Sequence, residues 1–175
     1  MITVDYCEEF DVIEFTQATY DKILEIIDFK EMTCGCGAKG SLVKIGCYPR
    51  FYKTCTKKVC IQIQRVKCKH CGKTHAVFVA CMIPSSMLLI TTQIEMLRSY
   101  YNHNLDEFLA NYPSIDRPNV IYVIKNYERH WQKQLESAAF SLTNHEKTIS
   151  AYFLKSNHRQ FMQIKSFPNH YYKCS

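Results

Sequence analysis

Cys34-Gly35-Cys36-Gly37 and Cys68-Lys69-His70-Cys71-Gly72 are two short cysteine pairs, each closed by glycine, with 31 residues between them. Each pair can turn so that backbone N–H groups point at the thiolates, and the trailing glycine allows a positive φ there. Four thiolates so placed suit a tetrahedral Zn²⁺ with sulfur at about 2.3 Å. The C-x-x-C-G pair is the stronger signal, and the C-x-C pair has the tighter bite. The residues around them read as strands. Leu42-Val43-Lys44-Ile45 opens a run reaching Lys53, and Val59, Ile61 and Ile63 alternate with Cys60, Gln62 and Gln64. Thr74-His75-Ala76-Val77-Phe78-Val79 offers a third strand. Two knuckles holding three antiparallel strands make a zinc ribbon, with one structural Zn²⁺ on Cys34, Cys36, Cys68 and Cys71. The metal stabilises a sheet with too small a core of its own.

The chain has 175 residues and 10 cysteines. Their clustering argues for reduced thiols rather than a disulfide framework. Cys47, Cys55 and Cys60 lie on or near the expected hairpin, and Cys7, Cys81 and Cys174 read as packing or exposed thiols. His70 and His75 read as solvent or phosphate contacts rather than ligands.

Charge is distributed unevenly. Residues 1–31 hold nine acids against Lys22 and Lys30, whereas residues 32–94 hold ten Lys/Arg and no Asp or Glu. An acid-free ribbon excludes a carboxylate-based active site there and points to a polyanion. Arg50, Lys53, Lys57, Lys58, Arg65, Lys67, Lys69 and Lys73 are expected to form one positive face, with Tyr48, Phe51 and Tyr52 interleaved. Cations neutralise phosphates, and aromatic rings stack on unpaired bases. The acidic block carries a short amphipathic helix over residues 19–27, read as solvated.

Beyond residue 90 the pattern becomes helical. Thr92-Gln93-Ile94-Glu95 fits a capping box with Ile90 and Met96 as staple, and Asn104-Leu105-Asp106-Glu107 repeats the logic. Asp116 caps a long helix over about 117–136, with Pro118 in its first turn. Val120, Ile124, Tyr127, Trp131 and Leu135 form its apolar stripe at steps of 4, 3, 4 and 4. Thr143-Asn144-His145-Glu146 caps a last helix carrying Ile149 and Phe153. A short helix, a turn and a longer helix resemble a helix-turn-helix. Its second helix would present Asn119, Tyr122, Lys125, Asn126 and Arg129 to base edges and phosphates.

No catalytic triad, Gly-rich phosphate loop or H-E-x-x-H spacing occurs in the sequence, so no enzyme is expected. Asp106, Glu107 and Asp116 read as helix starts. The absence of a long apolar run or a secretory signal predicts a cytoplasmic protein with no membrane partner.

The knuckle-bearing stretches 33–46 and 63–76, followed by Ile83-Pro84-Ser85, resemble a bacterial zinc-ribbon family, domain of unknown function 6431, seen in mobile-element contexts. The ribbon also resembles the N-terminal zinc finger of ISL3-type insertion-sequence transposases. The likeness continues through Tyr127-Glu128-Arg129-His130-Trp131 and residues 159–164. It departs after Pro84, where Ser86-Met87-Leu88-Leu89 replaces a more polar stretch. The resemblance implies the same four cysteine ligands and nucleic-acid binding near mobile elements; it supplies no activity.

The expected fold is α+β. It has an acidic N-terminal segment (1–31), a three-stranded zinc ribbon (32–82) and a small helical domain (83–175). Within the last lie a helix-turn-helix-like unit (104–136) and a C-terminal helix (144–156). The expected function is non-catalytic binding of nucleic acid, double-stranded DNA first, in association with a mobile element. Two rivals stay open. One is a phage- or transposon-encoded interaction module that inhibits or regulates a recombinase, transposase or other nucleic-acid enzyme. The other is RNA binding through the ribbon aromatics.

Overall fold

The computed structural model describes residues 1–5, 15–165 and 169–172. Chain order is β1 (Ile2–Val4), α1 (Gln17–Ile26), β2 (Leu42–Lys53), β3 (Lys58–Cys68), β4 (Thr74–Val79) and α2 (Ile90–Tyr101). Then follow α3 (Leu105–Asn111), α4 (Arg117–Asn126), a π-helical turn (Tyr127–Trp131), α5 (Gln132–Ser137), α6 (Glu146–Asn157) and β5 (His170–Tyr172). The acids at 8, 9, 11 and 14 and the thiols of Cys7 and Cys174 lie outside the described residues.

The three expected strands pair as an antiparallel meander, Leu42 opposite Cys68 and Lys67 opposite Thr74. They do not end the sheet. β1 inserts beside β4 in parallel, and β5 adds beside β1, giving a five-stranded mixed sheet in the order β2-β3-β4-β1-β5. The expected three-stranded ribbon is therefore extended by both ends of the described chain. Ile2, Thr3 and Val4 are all sealed from solvent, as befits a parallel strand covered on both faces.

α1 packs on the sheet rather than standing in solvent. β4 pairs with β3 only over residues 65–67 of β3, so the rest of that edge needs other partners. Gln17 Oε1 accepts from the Gln62 N–H at 2.6 Å. The Tyr20 hydroxyl accepts from the Gln64 N–H at 2.9 Å and donates to the Val77 carbonyl at 2.8 Å. Buried Tyr20 thus bridges the two strands where they diverge.

One continuous core runs from Leu42, Tyr52, Ile61 and Val66 of the strands to Leu97, Trp131, Phe153 and Leu154 of the helices. The segments read as ribbon and helical domain share a single interior. The hairpin tip is also fixed to the turn before α4. Ser114 donates from its N–H to the Cys55 carbonyl and from its hydroxyl to the Thr54 carbonyl.

The helix starts follow burial more than capping signals. α2 begins at Ile90 with Leu89 as an N-cap lacking a side-chain bond, two residues before the expected box. Leu88, Leu89 and Ile90 are all buried, and their burial outweighs a cap worth about 1 kcal/mol. α6 is capped by His145, whose ring accepts from the Lys147 N–H, not by Thr143. Asp116 caps α4 as expected, accepting from the Asn119 N–H at 3.0 Å. α3 and α4 both rest on α2.

The long helix keeps its apolar stripe, since Val120, Ile124, Tyr127, Trp131 and Leu135 are all buried. Steps of four overshoot an α-helical turn by about 40° each, so two in a row swing the stripe off its face. The wider turn at Tyr127–Trp131 takes up that drift and returns Leu135 to the core.

Candidate metal centre

The two knuckles close by short backbone bonds. Gly37 N–H donates to the Cys34 carbonyl at 2.8 Å, and Gly72 N–H donates to the Cys68 carbonyl at 2.9 Å. Gly37 and Gly72 hold φ of +89° and +74°, the left-handed conformation expected of the trailing glycines. The Cys71 N–H and the Ser41 hydroxyl reach the Cys68 sulfur at 3.5 and 3.0 Å.

The Sγ atoms of Cys34, Cys36, Cys68 and Cys71 all lie within 4.8 Å of one another. Cys34 and Cys71 stand 3.8 Å apart, as do Cys36 and Cys68. Four sulfurs at about 2.3 Å from a central tetrahedral ion would be separated by about 3.8 Å, so the cluster fits one Zn²⁺ in size and donor chemistry. The four thiols differ electrostatically. The Ser41 hydroxyl, then the Cys71 N–H, draw Cys68 down to about 6. The Ala38 N–H and then His70 lower Cys36, while burial pushes Cys34 up to about 12. A cation is what turns the buried Cys34 thiol into a thiolate. Cys47, Cys55, Cys60 and Cys81 are free thiols and belong to no further metal-sized group among the described residues.

His75 corrects an expectation. It is buried, and its Nε2 lies 3.4 Å from Cys34 Sγ while its Nδ1 lies 3.3 Å from the Met1 amine. A neutral imidazole that accepts from the Met1 amine at Nδ1 carries its proton on Nε2, where it can donate to the Cys34 sulfur. Burial, then the positive amine, hold His75 below its ordinary value. His75, Val77 and Val79 share the buried face of β4, a period-2 signal present in the sequence. Losing such a donor costs about 10–100-fold in metal affinity. His75→Ala should weaken Zn²⁺ binding by that factor in a chelator competition; unchanged affinity would show the contact to be incidental. His70, by contrast, is exposed, with Nδ1 3.7 Å from Cys36 Sγ.

The expected positive face is only partly assembled. Arg50 turns inward: its Nη2 donates at 3.0 Å to the carbonyls of both Ile83 and Ser86. The guanidinium lies 5.4 Å from the Tyr52 ring centre and 4.9 Å from that of Phe78. Lys53 reaches Asn119 Oδ1 at 2.7 Å and Asp116 at 3.4 Å. Arg50, Lys53 and Asn119 are thus engaged within the fold, and Tyr52 is core rather than a stacking ring. Lys57, Lys58, Arg65, Lys67, Lys69 and Lys73 are exposed. Lys58 lies over the exposed Phe51 ring at 4.5 Å, and Tyr48 is half-buried. On the helix, Tyr122, Lys125 and Arg129 are exposed and Asn126 is half-buried. No helix among the described residues is long and apolar enough to cross a membrane.

Comparison with protein-family models, curated proteins and solved structures finds no match to this chain.

Proposed function

We propose that this chain is a non-catalytic zinc-ribbon protein that binds nucleic acid, duplex DNA foremost, in the setting of a mobile element. The metal orders the knuckle end of the sheet, and the chemistry of the surface is electrostatic.

The observation that carries this reading is a set of cations without counter-charge. Lys57, Lys58, Arg65, Lys67, Lys69 and Lys73 are exposed, and none has a carboxylate within ion-pair distance among the described residues. A solvated protein surface ordinarily mixes both signs. Here the excess sits on β3, its hairpin turn and the second knuckle, which are rigid elements that can hold phosphate contacts in register. The hairpin tip that carries Lys57 and Lys58 is anchored on Ser114, in the turn before α4. Lys125 and Arg129 lie further along the same helical run. The mobile-element setting rests on the sequence likeness alone.

Each phosphate contact contributes about 0.9 to the slope of log affinity against log salt on duplex DNA. Replacing Lys67, Lys69 and Lys73 with alanine should therefore flatten that slope by between about one and about three. A triple variant with the wild-type slope would refute the face.

A further inference from the structure

A cavity lies away from the metal centre, beside the carbonyls that Arg50 holds. The loop after β4 and the segment after α6 face each other across a cleft of about 240 Å³. It is lined by Ser85 and Ser86 on one side and Ile164 and Lys165 on the other, with Gln93 of α2 and Tyr122 and Asn126 of α4 between.

Both walls are held by arginines stacked on rings. Arg50 grips the carbonyls of Ile83 and Ser86, and Arg159 donates from Nη2 to the carbonyls of Gln163 and Ile164 at 2.7 and 3.2 Å. The Arg159 guanidinium lies 5.3 Å from the Trp131 ring centre. Each wall also contains a non-glycine residue in the left-handed region, Ser85 at φ +67° and Met162 at φ +65°. Such conformations persist only where surrounding structure enforces them, and they concentrate at ligand sites.

The cleft offers specific polar chemistry. Gln93 is 3% exposed. Its Nε2 donates to Ser86 Oγ at 2.9 Å and to the Leu88 carbonyl at 3.3 Å. With Nε2 held inside the fold, Oε1 is the acceptor that this amide can offer to the cleft it lines. The Asn126 amide adds a donor and an acceptor, Tyr122 a ring that is 52% exposed, and Lys165 an exposed cation.

We infer that this cleft takes one unstacked nucleobase bearing an exocyclic amino group. Tyr122 stacks on the base, Gln93 Oε1 and Asn126 meet its hydrogen-bonding edge, and Lys165 meets the attached phosphate. The volume is that of about eight water molecules, enough for a single heterocycle and too small for a base pair. An aromatic platform, amides and a cation are the recurring means by which proteins hold unpaired bases. The inference rests on the nucleic-acid reading and narrows it: duplex is held by the basic face, and an extrahelical base is held in the cleft.

The test compares a labelled duplex with the same duplex carrying a single bulged adenosine, alongside a bulged thymidine. Stacking of one base supports roughly a 5- to 150-fold gain over the paired duplex, and reading the exocyclic amino group gives discrimination of about the same size against thymidine, so the adenosine bulge should bind at least about five-fold tighter than either control. That ratio should fall to near one in Tyr122→Ala and in Asn126→Ala. A wild-type ratio near one, with the paired duplex still bound, overturns the cleft and leaves the basic face standing. Adenosine 5′-monophosphate titrated into ¹⁵N-labelled protein reads the cleft without the polymer. Saturable shifts of the Asn126 side-chain amide are expected, and their absence overturns the inference. Should no duplex bind while the monophosphate does, the basic-face reading falls and the cleft stands.

Discussion

Trp131→Ala is expected to cost about 3–5 kcal/mol of folding stability. The indole is completely buried in the π-helical turn that joins α4 to α5. It meets Phe153 edge-on at 5.2 Å, Phe161 at 5.3 Å, and the Arg159 guanidinium. Truncation leaves a cavity where α6, the segment after it and the long helix converge. Because a domain of this size holds only about 5–15 kcal/mol in total, the loss should appear as a large drop in the urea midpoint followed by circular dichroism. Trp131→Phe should cost much less, because Nε1 makes no hydrogen bond among the described residues, so removing it orphans no partner. A Trp131→Ala midpoint equivalent to less than about 1 kcal/mol from wild type would contradict the packing described.

Metal removal should have the other large effect, and a local one. Structural Zn²⁺ binding in small cysteine sites is worth about 10–16 kcal/mol, comparable to the stability of a whole domain. The knuckles have few other supports. Their backbone bonds are local ones, Cys34 to Ala38, Gly37 to Cys34, Gly40 to Met32, Lys69 to Ser41, Cys68 to Lys73 and Gly72 to Cys68, and among residues 32–42 and 67–74 only Met32, Cys34, Leu42 and Cys68 are buried. β4 and β1, however, continue into the core at Val77, Val79, Ile2 and Val4. Chelation, or Cys68→Ser with Cys71→Ser, should therefore melt residues 33–41 and 67–74 while the helical half persists. Hydrogen exchange checks this directly. The amides of Gly37 and Gly72 should lose protection, and those of Val79 and Leu97 should keep theirs. Knuckle amides that stay protected without metal, or a stoichiometry other than one zinc per chain, would contradict the assignment.

The strands and knuckles were legible because their signals are local and strong. The bounds read for β2 and β4 match the strands, and the period-2 run over residues 59–64 marks the first half of β3, which continues to Cys68. β1 was not legible. Three residues buried on both faces show no alternation, and their partners, Val77 and His170, are remote in sequence. The basic face was over-counted for a related reason. Composition shows where charges cluster but not which way a strand turns them. Arg50 alternates with exposed Pro49 and Phe51 and sits between Tyr48 and Tyr52, so β periodicity marked it as inward-facing. The role of His75 was likewise written in its alternation with Val77 and Val79. The Lys53 contact with Asp116 and Asn119 could not be read, since it exists only once the hairpin tip docks against α4. The cleft depends on four separated segments meeting, and no local motif announces it.

A metal-ordered cationic surface makes a demand on both its ionic and its structural halves. The measurement that tests it most directly is duplex DNA affinity over a salt series, for the zinc-loaded chain and for the chelated chain side by side. With three to six phosphate contacts, the loaded protein should give a log–log slope of about −3 to −5. The chelated protein should bind more weakly, because the knuckle lysines no longer share one fixed surface. A slope near zero for the zinc-loaded protein would contradict the account, and so would identical curves with and without the metal.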